Sequence, residues 1–226
     1  MYNKLTFIDL IFKRKYEILL FGLLQHLFIG LLILDLDFYR KYVWLINMVV
    51  LGLSSFCIFL DKNKYRLFIL RVLVLMISIT PLLTYFIGFT DKVMIFLSLS
   101  FILFFTYVLY EIMLFLIKPS YINADIISAA GCGYFLLIEI ATFSHQCIFY
   151  FNPTAYSGLN TEYLASTYID FVYFSTITMT SIGFGDILPV LPHTKLLTAI
   201  FGIVGQVYSV VLVGIIISKF SSQNNH

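Results

Sequence analysis

The sequence is poor in charge. Of its 226 residues 12% are Asp, Glu, Lys or Arg and 61% are hydrophobic, whereas a typical soluble domain carries roughly 25% charged residues. So few charges cannot cover a water-soluble globule of this size, and an integral membrane protein is the default class. An excess of either sign is lacking too. The net charge is +2 and no basic tract carries interleaved aromatics, so no nucleic-acid partner is indicated. Cysteine is scarce: Cys57, Cys132 and Cys147 lie far apart with no CxxC spacing, which leaves a metal or redox centre without support. Cys57 and Cys132 fall in apolar runs and read as buried small hydrophobes. Cys147 falls near an expected outer helix end, where pairing with Cys147 of a second copy stays open. A removable leader is also missing. Lys4 and Lys13-Arg14-Lys15 precede an apolar run from Tyr16 to about Leu34 without a small-residue cleavage site, so the run reads as a retained first membrane helix.

What is abundant is long apolar sequence. A spanning helix needs about 20 mostly apolar residues, and six segments reach that length: 16–35, 43–60, 67–89, 93–117, 126–149 and 194–219. The breaks between them carry charge or turn formers, as in Asp61-Lys62-Asn63-Lys64, Thr90-Asp91-Lys92 and Lys118-Pro119-Ser120. Basic residues gather on the cytoplasmic side of membrane proteins. With the N-terminus inside, Lys4, Lys13, Arg14, Lys15, Lys62, Lys64, Arg66, Lys118 and Lys219 lie inside, against Arg40, Lys41, Lys92 and Lys195 outside. Nine against four places both termini in the cytoplasm, in a multi-pass protein of the plasma membrane.

The fifth and sixth segments are joined by about 44 residues, the longest connection in the chain. Its first part, Ser144 to Thr167, is polar and turn-rich. An apolar stretch follows from Tyr168 to Met179, too short to span, and stretches of about 10–14 apolar residues are typically re-entrant or interfacial. The reading is a pore helix over 168–180 that enters the outer leaflet and stops midway, with Asp170 near its favourable N-terminal end.

Immediately after it comes Thr178-Met179-Thr180-Ser181-Ile182-Gly183-Phe184-Gly185-Asp186. This resembles the potassium-channel signature, commonly written TMTTVGYGD. The resemblance is strong over about 50 residues, Asp170 to Lys219, and extends to the first four helices only as a general six-helix plan. Ser181 stands where the signature has a second Thr, and Phe184 where it has Tyr; ether-a-go-go type potassium channels carry Ser and Phe at these places. The residue types have a physical reason. A dehydrated cation needs rings of oxygens, which an extended backbone supplies as carbonyls. Those carbonyls face one axis only if alternate residues take unusual dihedrals, which glycine reaches at little cost. The resemblance implies K+ held by the carbonyls of Ser181, Ile182, Gly183 and Phe184 within a filter running from Thr180 to Gly185, with the Ser181 hydroxyl as the innermost ring. Serine lacks the threonine methyl and is freer in rotamer, so looser binding is expected at that inner site. Ile182 and Phe184 are expected to point away and wedge the filter against the pore helix. Asp186 falls at the outer mouth, where four carboxylates would concentrate cations; a turn-capping role is compatible with that.

The last segment carries Gly202, Gly205 and Gly214. Counting from Asp186, Gly205 matches the family's gating-hinge glycine, and close helix packing is the competing account. The stretch 202–208 looks like a version of the GQLY sequence of bacterial channels of this type. Gln206 or Ser209 then faces a water-filled cavity, with Val213 or Ile217 deeper as an apolar constriction.

A charged sensor is absent. Each unit charge crossing the field contributes about 2.3 kcal/mol per 100 mV, so a sensor needs several Arg or Lys. Segment 93–117 has none, and its one charge is Glu111. Strong voltage gating is rejected. The seven residues Phe220–His226 after Lys219 are too few for a soluble regulatory domain. Three ionisable residues stand out: Glu139, costly within a membrane helix and expected to pair behind the filter with a pore-helix hydroxyl or another subunit, and His145 and His193, flanking the outer side as candidates for sensing external pH or as ordinary interfacial histidines.

The expected molecule is all-α and integral to the membrane, with six transmembrane helices in a voltage-gated-like plan. Residues 1–117 form a four-helix region without a sensor. Residues 118–226 form a pore domain of outer helix, pore helix 168–180, filter 180–186 and inner helix 194–219. It is expected to conduct K+ passively as a homotetramer among membrane lipids, with K+ in the filter and no organic cofactor. The alternative is a weakly selective monovalent cation channel. An enzyme finds no nucleophile–base or metal constellation, and an alternating-access transporter finds one interrupted segment with no counterpart in the first half.

Overall fold

The computed structural model describes residues 14–32, 35, 38–59, 63–88, 90–117 and 124–223. Lys4, Lys13, Lys62 and Lys118 lie outside them, as do the side chains of Arg40, Lys41, Val213, Ile217 and Lys219. Helices occupy all six apolar segments: α1 (Lys15–Phe28, continued by a 3-10 turn, Ile29–Leu32), α2 (Trp44–Phe59, led in by a π-turn, Tyr39–Val43), α3 (Lys64–Ile87), α4 (Asp91–Ile117), α5 (Ala124–Phe151) and α7 (Pro192–Gln223). Between the last two lies α6 (Leu164–Met179). Among the described residues four helical stretches are long and apolar enough to cross a membrane: Lys15–Leu32, Asp91–Ile117, Asp125–Phe151 and Pro192–Leu212. Ile46–Phe59 is apolar but shorter.

Local signals set several ends. The Asn63 side chain accepts from Tyr65 N and opens α3, while Gly88, at φ 85°, closes it by returning its N–H to the Thr84 carbonyl. This is glycine's usual service at a helix C-terminus. Hydroxyls inside the helices are satisfied locally: Ser55, Ser98 and Ser100 each donate to the carbonyl four residues back, as hydroxyls in apolar surroundings must.

The main core lies between α4 and α5. Phe101, Phe104, Phe105, Val108 and Ile112 are all fully buried, and their spacing makes one stripe along α4. Phe101 stacks on Phe143 of α5 with ring centroids 4.4 Å apart and planes within 6°. Leu19 and Leu23 of α1 close the cluster. Lipid tails are as apolar as leucine, so such contacts hold through close packing and hydrogen bonds more than through exclusion of water. Small residues serve that end. Gly22 admits the Ser54 side chain of α2, and Gly133 admits the Tyr208 ring of α7, whose hydroxyl donates to the Ala130 carbonyl at 2.7 Å. Arg66 of α3 donates from Nη1 to both carboxylate oxygens of Glu111, at 2.9 and 3.0 Å. The charge that interrupts α4 is therefore paired.

Cys57, Cys132 and Cys147 are free thiols. Cys132 and Cys147 are buried and Cys57 half-buried. One face of α7 is uncovered, with Leu196, Ile200, Ile203, Val207 and Val210 exposed.

Candidate functional site

The half-length helix α6 begins at Leu164, four residues before the expected Tyr168. Ser166 and Thr167 look like loop, but Thr167 Oγ1 donates back to the carbonyls of Asn160 and Tyr163, so these polar residues are absorbed into the first turn. Asp170 is correspondingly beyond the first turn. Its carboxylate accepts from Asn160 N at 2.6 Å and anchors the preceding loop instead of serving the helix terminus. Burial pushes the Asp170 carboxyl up from its ordinary value, the Asn160 N–H opposes that, and the charge of Asp186 adds to it.

Past Met179 the chain turns back on the helix that delivered it. Thr180 N donates to Thr176 O at 3.0 Å, Ser181 N to Thr178 O at 3.1 Å, and Ile182 N and Gly183 N to Ile177 O at 2.8 and 3.2 Å. Their N–H groups are thus spent on the end of α6. Among the described residues no main-chain amide donates to a carbonyl of 181–185. Backbone φ is positive at Ser181 (60°), Gly183 (55°) and Gly185 (79°), with negative values between. This strict alternation is what successive carbonyls need to face one side. Ser181 is the one non-glycine residue with positive φ among those described, a conformation that costs roughly 1–2 kcal/mol and persists where surroundings enforce it.

At the C-terminal end of segment 180–186, Tyr173 of α6 donates its hydroxyl to Asp186 Oδ2 at 2.7 Å. That bond holds the Asp186 carboxyl below its ordinary range, helped by the main-chain N–H groups of Asp186 and Ile187, and it raises the Tyr173 hydroxyl. Beyond Asp186, Ile187 enters a cluster with Phe149, Tyr156, Phe171 and Phe174. A two-stranded antiparallel ribbon, β1 (Tyr156–Ser157) with β2 (Leu188–Pro189), then pairs Tyr156 with Pro189. Gly158, at φ 86°, lies with the Asp186 carbonyl where a side chain would stand. Val190 N and Thr194 Oγ1 both donate to the Ala155 carbonyl, at 2.9 and 3.2 Å. The polar loop is stapled to the exit of segment 180–186.

At the start of segment 180–186, Gln206 Nε2 donates to Ser181 Oγ at 2.6 Å. Gly205 is buried, and a Cβ built on it would stand 2.6 Å from the Met179 carbonyl oxygen; the structure gives this glycine a packing contact with the end of α6. Ser209 donates to the Gly205 carbonyl of its own helix at 2.9 Å, so Gln206 and not Ser209 meets segment 180–186. The Val213 side chain lies outside the described residues.

Two expected placements differ. Ile182 and Phe184 do not pack on their own α6: they are 56% and 72% exposed, because the main chain turns their side chains outward from the helix that precedes them. His145 is not at the outer surface. It is fully buried, with Nδ1 2.8 Å from the Tyr156 hydroxyl and its ring edge-on to Phe174 at 5.1 Å. The turn of helix that looked peripheral is roofed by β1. His193 is exposed at the start of α7. Glu139 is fully buried against His26 Nδ1 of α1, at 2.6 Å, and the Tyr168 hydroxyl of α6 reaches the same nitrogen at 3.3 Å. Tyr173, His26 and Gly158 were not singled out from sequence. A hydroxyl-bearing ring at 173 within an otherwise Phe-, Val- and Ile-rich run was the one signal available.

A family described as "Ion channel" matches residues 128–222, which begin within α5 and take in α6, the segment 180–186 and α7. The Two-pore potassium channel 5 of Arabidopsis thaliana is 39% identical over 88 residues, covering 39% of this chain and 20% of that protein. The chain thus spans about a fifth of the length of the curated relative it matches. No solved structure matches. The family match falls on the elements that build the site, and residues 128–222 are similar to an ion-channel domain, a transport class and not an enzyme.

Proposed function

We propose that this chain is one subunit of a homotetrameric potassium-selective channel whose filter is 180–186. The observation that carries the reading is the alternation of positive φ at Ser181, Gly183 and Gly185, directly after a half-length helix and with the amides of Thr180 to Gly183 tied back to it. Four such segments around an axis would form stacked carbonyl cages that replace the hydration shell of K+, with Asp186 at the mouth and the Ser181 hydroxyl innermost. One filter segment per chain requires four chains. The exposure of Ile182, Phe184 and the apolar face of α7 supports that number of copies, since each offers surface for a neighbouring subunit.

The remaining helices complete a six-span protein of the plasma membrane with both termini cytoplasmic and lipid around it. The pore helix α6 is then re-entrant from the outer side. Residues 93–117 carry no Lys or Arg, so strong voltage gating is not part of the reading. Gly205 serves as a hinge only if its packing on Met179 yields.

The test is reconstitution in liposomes under a potassium gradient opposed by sodium. A reversal potential near the potassium equilibrium value supports the reading. A value near zero favours a weakly selective cation channel, the outcome that Ser181 and Phe184 would explain. Potassium flux unchanged by Gly183→Asp would remove the filter assignment.

A further inference from the structure

Ser181 combines two weaknesses. It sits at φ 60°, where a side chain is strained, and it lacks the γ-methyl that restricts a threonine rotamer. Free to rotate, its hydroxyl would present its lone pairs to a cation only part of the time. Gln206 answers this. Its Nε2 donates to Ser181 Oγ at 2.6 Å. A hydroxyl oxygen has two acceptor lone pairs, so one engaged by the amide leaves the other for an ion, and the rotamer is held.

The reach of Gln206 depends on the residue before it. A Cβ on Gly205 would stand 2.6 Å from the carbonyl oxygen and 2.9 Å from the Cα of Met179, closer than real contacts allow. Only glycine lets α7 approach the end of α6 this nearly. Gly202, one turn earlier, faces Thr178 at 3.8 Å, so the same flank of α7 lies against the last turn of α6. Gln206 projects next to that contact and reaches the base of the filter segment.

We infer that Gln206 is a positioning residue for the innermost cation site: it orients the Ser181 hydroxyl toward the ion path and supplies the restraint that a threonine methyl would. The inference rests on the channel reading above. The ligand class is a dehydrated monovalent cation of the size of K+. Because the amide is neutral, Gln206 sets the geometry of the site and adds no charge to it.

The experiment is a double-mutant cycle on the full-length channel in planar bilayers. It reads the internal potassium concentration that half-saturates the current, together with the potassium-to-sodium permeability ratio. Gln206→Leu, similar in length but without the donor, is expected to raise the half-saturating concentration about three- to tenfold, the effect of one lost hydrogen bond. Gln206→Asn, polar but one methylene short, should act in the same direction. In a Ser181→Thr background, where branching already restricts the rotamer, either change should have less than about a twofold effect. If the Leu variant does not assemble, the Asn variant completes the same cycle. An unchanged half-saturation in the single variants, or an equal loss in both backgrounds, overturns the inference and leaves the channel reading intact. A wild-type protein that passes no potassium current overturns both.

Discussion

Glu139 of α5 and His26 of α1 meet side chain to side chain at 2.6 Å with both groups almost wholly buried. The Tyr168 hydroxyl of α6 stands 3.3 Å from the same imidazole nitrogen, and Phe101 and Phe143 lie alongside the His26 ring. Three elements, α1, α5 and α6, therefore converge on one polar point in an apolar core. Helix α1 is joined here to the two helices that precede segment 180–186.

Breaking one side of such a pair should cost more than removing both. His26→Leu leaves a buried carboxyl without its partner, and about 3–5 kcal/mol of stability is expected to be lost. The double variant His26→Leu/Glu139→Leu replaces the pair with apolar groups and should recover part of that loss. Thermal unfolding in detergent measures it. A double variant no more stable than the single one would mean that packing of the imidazole, and not the pairing, holds α1 to the pore domain.

In the proposed channel, where Asp186 stands at the outer mouth, current should respond to external acid in a defined direction. The Tyr173 hydroxyl is the main reason that the Asp186 carboxyl ionises below its ordinary range. For a group depressed in this way, the contribution of the charged form is present above the ordinary carboxylate value and is lost as pH falls through the lowered one. The wild-type mouth should therefore keep its charge to a lower external pH than a free aspartate would. Tyr173→Phe removes the donor, so acid loss of single-channel current is expected to move to higher external pH. Current at a series of external pH values checks this, and a curve unmoved by Tyr173→Phe would exclude the bond from setting the charge.

Much of this site could be read from the chain, for reasons that are themselves physical. An apolar run too short to span, followed by two glycines spaced by one residue, is a local signal, and local signals survive in one dimension. Gly183 and Gly185 indeed take positive φ. What could not be read depends on long-range packing. His26 and Glu139 are 113 residues apart, and neither has a neighbour in sequence that points to the other. Glu139 is costly in a membrane helix and calls for a partner, but the Tyr168 hydroxyl of α6 is linked to it only through His26. The start of α6 was misplaced because Thr167 satisfies its hydroxyl on carbonyls seven and four residues earlier, which polarity alone does not reveal. His145 looked peripheral for the same reason: its roof, β1, is formed by a later segment.

Two glycines with nearly equal φ should behave differently. Gly88 and Gly158 have φ 85° and 86°. Gly88 has open space around it, whereas Gly158 has the Asp186 carbonyl in the place of a side chain. Gly88→Ala should show backbone strain alone, about 1–3 kcal/mol, since φ 85° with ψ 176° is a conformation essentially confined to glycine. Gly158→Ala must in addition push the loop off the filter exit, so a greater loss of stability is expected, with a fall in potassium current that Gly88→Ala does not share. Parallel unfolding and bilayer measurements on the two variants distinguish strain from contact, and equal effects on current would show that the exit does not depend on this loop.

The two accounts of Gly205 make opposite demands on the residue that replaces it. A hinge needs backbone freedom, which alanine reduces modestly; a packing glycine needs empty space, which alanine fills. With Met179 backbone atoms 2.6–2.9 Å from where a Cβ would be, the packing account expects Gly205→Ala to force α7 away from α6 at a cost of about 1–3 kcal/mol. It would carry Gln206 away from Ser181 at the same time. Gly214, further down α7, has nothing near its Cβ position, so Gly214→Ala should be nearly silent in the fold of one subunit. A compensating change distinguishes the accounts. Met179→Ala removes the side chain beyond Cβ but leaves the three atoms that crowd that point, the carbonyl oxygen, Cα and Cβ, in place. It should therefore rescue Gly205→Ala only weakly, since the main obstacle is backbone. Strong rescue, or a Gly205→Ala channel with normal current amplitude and altered opening rate alone, would show that flexibility at this position matters more than closeness.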